Sequence, residues 1–117
     1  MEDDPQILEA IGFHLRPWGL KVFTLADPRR FWQVFTETQP DVLILDVEMP
    51  HVSGLDLCQV VRSDLQWNHI PILFLTAHTD ATIRHQEYEV GADDYVTKPV
   101  DGPELVTRLL NRLNRSL

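Results

Sequence analysis

Two apolar segments of this chain each lead into a polar side chain, and they limit the possible folds more than any other feature. Residues 42–45, Val-Leu-Ile-Leu, are followed by Asp46, and residues 70–75 are followed by Thr76. Unbroken apolar runs of this length are typical of strands covered on both faces, as in a parallel sheet. Pro71 is compatible with the second strand because it lies at its beginning. The sequence therefore predicts two buried strands, each ending in a functional group.

Helical patterns alternate with these strands. Asp4-Pro5 and Asp27-Pro28 each combine a helix N-cap with a proline at the first helical position. The other predicted elements are helices that begin at Ser53, at about residue 80 and at Asp101, and short strands at residues 21–25 and 94–97. Alternating helices and strands indicate βαβ units. The 117 residues are thus expected to form one domain, a doubly wound parallel sheet with helices on both faces.

The charge balance argues against one class of function. The chain has 18 acidic and 10 basic residues and a formal net charge of −8, whereas nucleic-acid binding by this domain itself would need a basic face. Clustered carboxylates instead suit Mg²⁺ or Ca²⁺. Cys58 is the single cysteine, so an internal disulfide and a cysteine-based zinc site are excluded. No apolar run is long enough to span a membrane and the acidic N-terminus is unlike a signal peptide, so we expect a cytoplasmic protein.

The candidate functional groups are predicted to converge at one edge of the sheet. In sheets of this kind, ligands bind at the carboxyl ends of the strands. Asp46 and Thr76 end two predicted strands, Lys98 follows the last one, and the acidic residues 2–4 precede the first helix. This order brings a carboxylate cluster, a hydroxyl and an ammonium group around one crevice.

Such a set of groups is suited to phosphoryl transfer onto a carboxylate. Asp46 would be the nucleophile and would form an acyl phosphate. Asp3 and Asp46 would share a Mg²⁺ ion, with the backbone carbonyl of Glu48 as a further ligand and Glu2 holding a metal-bound water. The lysine and the threonine would contact phosphoryl oxygens and stabilise their charge.

Five short motifs, in this order, resemble the signature of the receiver domain of two-component response regulators. They are Glu2-Asp3, Asp46-x-x-Met49-Pro50-x-x-x-Gly54, Thr76-Ala77, Gly91-Ala-Asp-Asp-Tyr95 and Lys98-Pro99. The resemblance covers nearly the whole chain and implies a flavodoxin-like fold with five helices and the strand order 2-1-3-4-5. It also implies that Asp46 accepts a phosphoryl group from a histidine kinase or phosphotransfer protein. Self-catalysed acceptance and loss of that group would be the only enzymatic activity.

Further residue roles follow from the same resemblance. The Lys98–Pro99 peptide bond is expected to be cis. Tyr95 is expected to change rotamer when Thr76 moves toward the phosphoryl group. Glu48 and His78 correspond to positions that tune the lifetime of the phosphoryl group.

Residues 91–99 and 103–106 are most similar to the subfamily whose output domain is a winged-helix DNA-binding domain. In that subfamily, the helix before Gly91, the strand at Tyr95 and the last helix together form the face of a symmetric dimer. The charge pairs carried over from it are Arg84 with Glu104, and Asp94 with Arg108. The resemblance thus implies a homodimer through this face and an output domain outside this chain.

The N-terminus departs from the family pattern. A receiver normally begins with an apolar strand directly before the acidic pair, whereas here Met1 alone precedes Glu2. That strand would be central in the sheet, and its loss would leave unpaired backbone between residues 21–25 and 42–46. We hypothesise that the missing strand lies upstream or is supplied by a second chain. Without it, Glu2 and Asp3 would be poorly anchored.

Two alternatives remain open at this point. Phosphatases of the haloacid-dehalogenase type also use an aspartate nucleophile with Mg²⁺, and Asp46-Val-Glu48 resembles their Asp-x-Asp motif. A receiver-like interaction domain that takes no phosphate would keep the fold without the chemistry, and the missing strand keeps this alternative open.

Overall fold

The computed structural model describes residues 1–2, 4–49, 52–77, 89 and 91–116. Within them, a parallel sheet is formed by Leu43–Asp46 (β1), Ile72–Thr76 (β4) and Asp94–Thr97 (β5), in the order β1-β4-β5. A short antiparallel pair consists of Glu48–Met49 (β2) and Val52–Ser53 (β3). The helices are Pro5–Leu15 (α1), Phe31–Thr38 (α2), Gly54–Ser63 (α3) and Gly102–Ser116 (α4), with 3₁₀ turns at Arg16–Trp18 and Pro28–Arg30.

The helices lie on both faces of the sheet, and the alternation of strand side chains accounts for this. Phe74 belongs to a core cluster with residues of α2 and α3, such as Phe35 and Val61. Its neighbours Leu73 and Leu75 point to the other face and join a cluster with residues of α1 and α4. All five residues of β4 are buried. The sequence prediction of a parallel sheet covered on both faces is therefore confirmed.

Two helix starts follow the predicted capping chemistry. The Asp4 side chain accepts a hydrogen bond from the backbone N–H of Gln6 at 2.9 Å, and Pro5 follows as the first helical residue. Ser53 accepts from the backbone N–H of Leu55 at 3.1 Å. Both caps satisfy amide groups that a helix start leaves without an intrahelical partner. The helix predicted at about residues 80–89 lies almost wholly outside the described residues.

The predicted strand at residues 21–25 is wrong in the structure, where this segment has no regular secondary structure. Among the described residues, only Met1 and Glu2 form backbone hydrogen bonds between this segment and β1. Glu2 N–H donates to the Leu25 carbonyl at 3.2 Å, and Asp46 N–H donates to the Met1 carbonyl at 2.8 Å. The Met1 amino group donates to the Ile44 carbonyl. A strand pattern without a long enough partner does not form a ladder.

The helices within the described ranges are too short or too polar to cross a membrane.

Candidate functional site

Asp46 is the last residue of β1 and is buried, with 1% of its surface exposed. The parallel register pairs it with Leu75, and the next residue of β4, Thr76, pairs with Thr97 of β5. Because the three strands are parallel, their carboxyl ends meet at one edge of the sheet. The strands thus bring Asp46, Thr76 and Lys98 together, as the sequence predicted.

Lys98 forms a bridge between two buried carboxylates. Its Nζ lies 3.0 Å from Asp46 Oδ1 and 3.0 Å from Glu2 Oε2, and Glu2 is also 1% exposed. Burial of the ammonium group lowers the pKa of Lys98, but the hydrogen bonds and charges of Asp46 and Glu2 outweigh this and raise it above its ordinary value. The lysine therefore carries a positive charge between the two buried acids.

Glu2 contacts Lys98 directly. Its carboxylate forms an ion pair with the lysine and accepts from the Asp4 backbone N–H at 3.1 Å. The predicted role of Glu2 in holding a metal-bound water stays a prediction. The hydrogen bond from Glu2 N–H to the Leu25 carbonyl anchors Glu2 to the segment 21–25. Asp3 lies outside the described residues.

Gly54, at the start of α3, brings the helix against the backbone of the acceptor strand. Its N–H donates to the Val47 carbonyl at 3.1 Å. A Cβ atom at position 54 would collide with the carbonyl oxygen of Asp46. Glycine is needed here for close approach of two backbones, and the motif Asp46-x-x-Met-Pro-x-x-x-Gly54 thus has a packing basis.

Thr76 and Tyr95 lie at different depths. Thr76 is buried, at 1% exposure, and its backbone carbonyl accepts from Lys98 N–H at 2.7 Å. Tyr95 is half-buried in β5 and packs against the cluster on the α2–α3 face. The Lys98–Pro99 peptide bond is cis.

The donor set suits a hard divalent cation. Within the described residues there is no cluster of three or more metal-binding side chains, but two buried carboxylates, Glu2 and Asp46, share one edge of the sheet. Carboxylate oxygens are the ligands that Mg²⁺ prefers, and it often takes one or two of them and keeps several waters. The sequence predicts that Asp46 and Asp3 hold the ion, and Asp3 lies outside the described residues. Glu48 lies in β2, two residues after Asp46. Its side chain is not among those that the structure describes, and the role of its carbonyl as a metal ligand stays a prediction.

Charged residues of the predicted dimer face interact within one chain. Arg108 Nη1 lies 2.7 Å from Asp94 Oδ1, and its Nε lies 3.0 Å from Glu104 Oε1. The guanidinium carbon is 5.8 Å from the centre of the Tyr95 ring, within range of a cation–π contact. Arg84 and His78 lie outside the described residues, so the pairing of Arg84 with Glu104 and the tuning role of His78 stay predictions.

Arg62 of α3 is a residue that sequence reasoning missed. Its guanidinium donates to the backbone carbonyls of Gly91 and Ile70, at 2.7 and 2.6 Å, and to Asp93 Oδ2 at 2.9 Å. The same Asp93 oxygen accepts from Ile72 N–H at 2.8 Å. Arg62 thereby ties α3 to the beginnings of β4 and β5, at the sheet edge opposite Asp46. The sequence signal that could have identified Arg62 is a basic residue beside the apolar face of a predicted helix.

The comparisons with known proteins agree with this geometry. A model of the response regulator receiver domain matches residues 1–110. Protein RcaC of Microchaete diplosiphon is 50% identical over 98% of this chain and 18% of its own length. The DNA-binding response regulator MtrA of Mycolicibacterium smegmatis is 37% identical over 99% of this chain and 50% of its own length. A crystal structure of a protein from Chloroflexus aurantiacus that is described as a response regulator superposes on this chain with a TM-score of 0.91. The two chains are 36% identical, and the match covers 97% of this chain and 93% of the other.

The chain therefore belongs to the receiver domain family of two-component response regulators, and its curated relatives include DNA-binding regulators. It spans half or less of the length of the two curated relatives described above. The predictions of a flavodoxin-like receiver fold and of a receiver module are confirmed. This membership decides in favour of the receiver interpretation over the haloacid-dehalogenase alternative.

Proposed function

We propose that Asp46 is the phosphoryl acceptor of this receiver domain. The observation that carries the proposal is the buried Asp46 carboxylate at the end of β1 with the Lys98 ammonium 3.0 Å from its Oδ1. A phosphohistidine donor would lose its phosphoryl group as the P–N bond breaks and an Asp46 oxygen bonds to phosphorus. The product is an acyl phosphate, and the imidazole leaves with the electron pair of the broken bond.

Lys98 has two consecutive roles in this proposal. Before transfer, it neutralises part of the charge that Asp46 and Glu2 present to an incoming phosphate. After transfer, the same ammonium would stabilise a phosphoryl oxygen, because a point charge on a flexible stem can follow the added group. Mg²⁺, held by Asp46 and Asp3, would supply further charge stabilisation. Thr76, at the end of the neighbouring strand, would offer its hydroxyl to another oxygen.

This proposal extends to the whole protein. We infer that residues 1–117 form one receiver domain in the cytoplasm, that a histidine kinase or phosphotransfer protein supplies the phosphoryl group, and that an output domain lies outside this chain. Its similarity to MtrA, a DNA-binding response regulator, supports a transcriptional output. Asp94, Tyr95, Glu104 and Arg108 lie together on β5 and α4, which supports a signalling or dimer face there.

Acetyl phosphate with Mg²⁺ tests the acceptor role, read on a phosphate-affinity gel. The wild-type chain should form a one-to-one adduct that hydroxylamine removes, since hydroxylamine cleaves acyl phosphates. Asp46→Asn should form none. Asp56→Asn is a matched control, because this exposed acid lies in the first turn of α3, ten residues further along. Adduct formation in Asp46→Asn, or none in a folded wild-type chain, would overturn the proposal and favour an interaction domain that takes no phosphate.

A further inference from the structure

The loop that follows Asp46 is held on two sides through a single buried residue, Val47. Its N–H donates to the Leu75 carbonyl of β4 at 3.0 Å. Its carbonyl accepts from Gly54 N–H at 3.1 Å and from the Ser53 hydroxyl at 3.3 Å, so both lone pairs of this oxygen are used. The peptide groups next to Asp46 are thereby fixed to β4 on one side and to the start of α3 on the other.

The Ser53 hydroxyl does more than cap the helix. It accepts from the backbone N–H of Leu55 at 3.1 Å as the N-cap of α3, and it donates its own proton to the Val47 carbonyl. A cap needs only an acceptor, which asparagine or aspartate would supply equally well. Because a hydroxyl both donates and accepts, this one side chain joins the start of α3 to the residue after Asp46.

The same hydrogen bonds set the direction of the Glu48 carbonyl. The register of β2 and β3 places Glu48 opposite Ser53. Since the Val47 carbonyl is bonded to Gly54 N–H, the alternation of an antiparallel pair makes Glu48 and Ser53 a pair without mutual backbone hydrogen bonds. The Glu48 carbonyl is therefore directed away from β3. This is the carbonyl that the sequence predicts as a Mg²⁺ ligand.

We propose that Ser53 is a positioning residue for the Mg²⁺ ion of this receiver, and this inference rests on the proposed function. By holding the Val47 carbonyl, its hydroxyl fixes the Glu48 carbonyl relative to the Asp46 carboxylate. Mg²⁺ requires near-ideal octahedral geometry, so a small displacement of one oxygen ligand weakens its binding. A serine hydroxyl that touches neither the ion nor the phosphoryl group thus contributes to the affinity for the ion.

Calorimetric titration with Mg²⁺ alone, without a phosphate donor, tests this role. Ser53→Ala should bind the ion about threefold to tenfold more weakly, which is the factor that one ordinary hydrogen bond contributes. Ser53→Thr keeps a hydroxyl and should bind as the wild type does. The amide nitrogen resonance of Met49, which is bonded to the Glu48 carbonyl, should shift with Mg²⁺ in the wild type and less in Ser53→Ala. Equal affinity in Ser53→Ala and the wild type would overturn the proposal.

Two further variants separate positioning from a general loss of stability. Ser53→Gly keeps most of the capping stability but lacks the hydroxyl, so it should bind Mg²⁺ as weakly as Ser53→Ala, and wild-type affinity would overturn the proposal. Ser63→Ala is the matched control, because it removes a hydroxyl bond of 2.8 Å to the Gln59 carbonyl at the other end of α3. It should bind Mg²⁺ normally. Equal weakening in Ser63→Ala would mean that any loosening of α3 lowers the affinity, and the proposal would be wrong.

Labelling of Asp46 by acetyl phosphate provides a second readout. Ser53→Ala should need more Mg²⁺ for half of the maximal rate but reach the wild-type rate at saturation. A lower rate at saturation with an unchanged Mg²⁺ midpoint would contradict the positioning role. Because the calorimetry uses no phosphate donor, failure of Asp46 to take a phosphoryl group would defeat the acceptor proposal alone and leave the Mg²⁺ affinities interpretable.

Discussion

Lys98 Nζ stands midway between two buried carboxylates, 3.0 Å from Glu2 Oε2 and 3.0 Å from Asp46 Oδ1. The lysine is 21% exposed and the two acids are 1% exposed, so solvent reaches the ammonium more than the carboxylates. A carboxylate pair of this kind is stable only while a cation lies beside it.

Removal of the Lys98 ammonium is expected to destabilise the fold. Lys98→Met leaves two buried acids without their cation, and the free energy of unfolding should fall by about 3 kcal/mol. Urea unfolding at pH 7 measures this. Lys21→Met, at an exposed position, is the control, and an equal loss in Lys98→Met and Lys21→Met would contradict the ion-pair interpretation.

Alanine at position 54 should disturb the acceptor strand. The added Cβ collides with the Asp46 carbonyl oxygen, and both partners are backbone groups that cannot turn aside. We expect a loss of about 2–3 kcal/mol in urea unfolding and slower labelling of Asp46 by acetyl phosphate. Gly19→Ala gives the comparison, since Gly19 has φ +78° but open space around it. It should lose about 1 kcal/mol and label normally. Normal labelling in a folded Gly54→Ala chain would show that the contact does not position Asp46.

Arg62 should determine the local stability of the sheet edge opposite the site. Arg62→Lys keeps the charge but loses the planar fork that reaches Gly91, Ile70 and Asp93 together. The amide of Ile72, which donates to Asp93, should then exchange with deuterium at least tenfold faster. Arg16→Lys, on the exposed end of the first helix, is the control. Unchanged exchange at Ile72 would mean that Asp93 holds its place without the arginine.

The amino group of Met1 predicts a decline of stability as the pH falls from 8 to 5. Burial lowers the pKa of this group from 8.0 to about 5, against smaller opposing effects of Glu2 and Asp46. The unfolded state therefore binds the proton first, so stability is full above pH 8 and is lost as the pH falls toward 5. A three-unit difference corresponds to about 4 kcal/mol. An N-acetylated chain lacks this group, and its stability should change less across the same range. Equal slopes for the two forms would refute the assignment.

Much of the site follows from the sequence because it depends on the ends of strands. An apolar run followed by an acid or a hydroxyl predicts both burial and direction, which is why Asp46 and Thr76 were assigned to the same edge. The caps at Asp4 and Ser53 are equally local, since each bond spans two residues. Features formed between distant segments were missed. Arg62 contacts residues 29 and 31 positions away, and no local pattern records such a contact.

In the segment 21–25, the sequence predicts a strand that the structure does not contain. Its residues, Lys-Val-Phe-Thr-Leu, have good strand propensity, yet a strand exists only where a neighbour supplies hydrogen bonds along its length. Met1 and Glu2 pair with too little of it.

The sharing of Arg108 by Asp94 and Glu104 has a consequence for assembly. If this face meets its symmetric copy and Asp94 of one chain pairs with Arg108 of the other, the bond within each chain must first open. Dimer formation would then replace two Asp94–Arg108 ion pairs within chains by two between chains, so the number of ion pairs does not change. Such an exchange contributes alignment and partner choice but little net attraction. The affinity of the dimer would then depend on apolar contact, and added salt would weaken it only slightly.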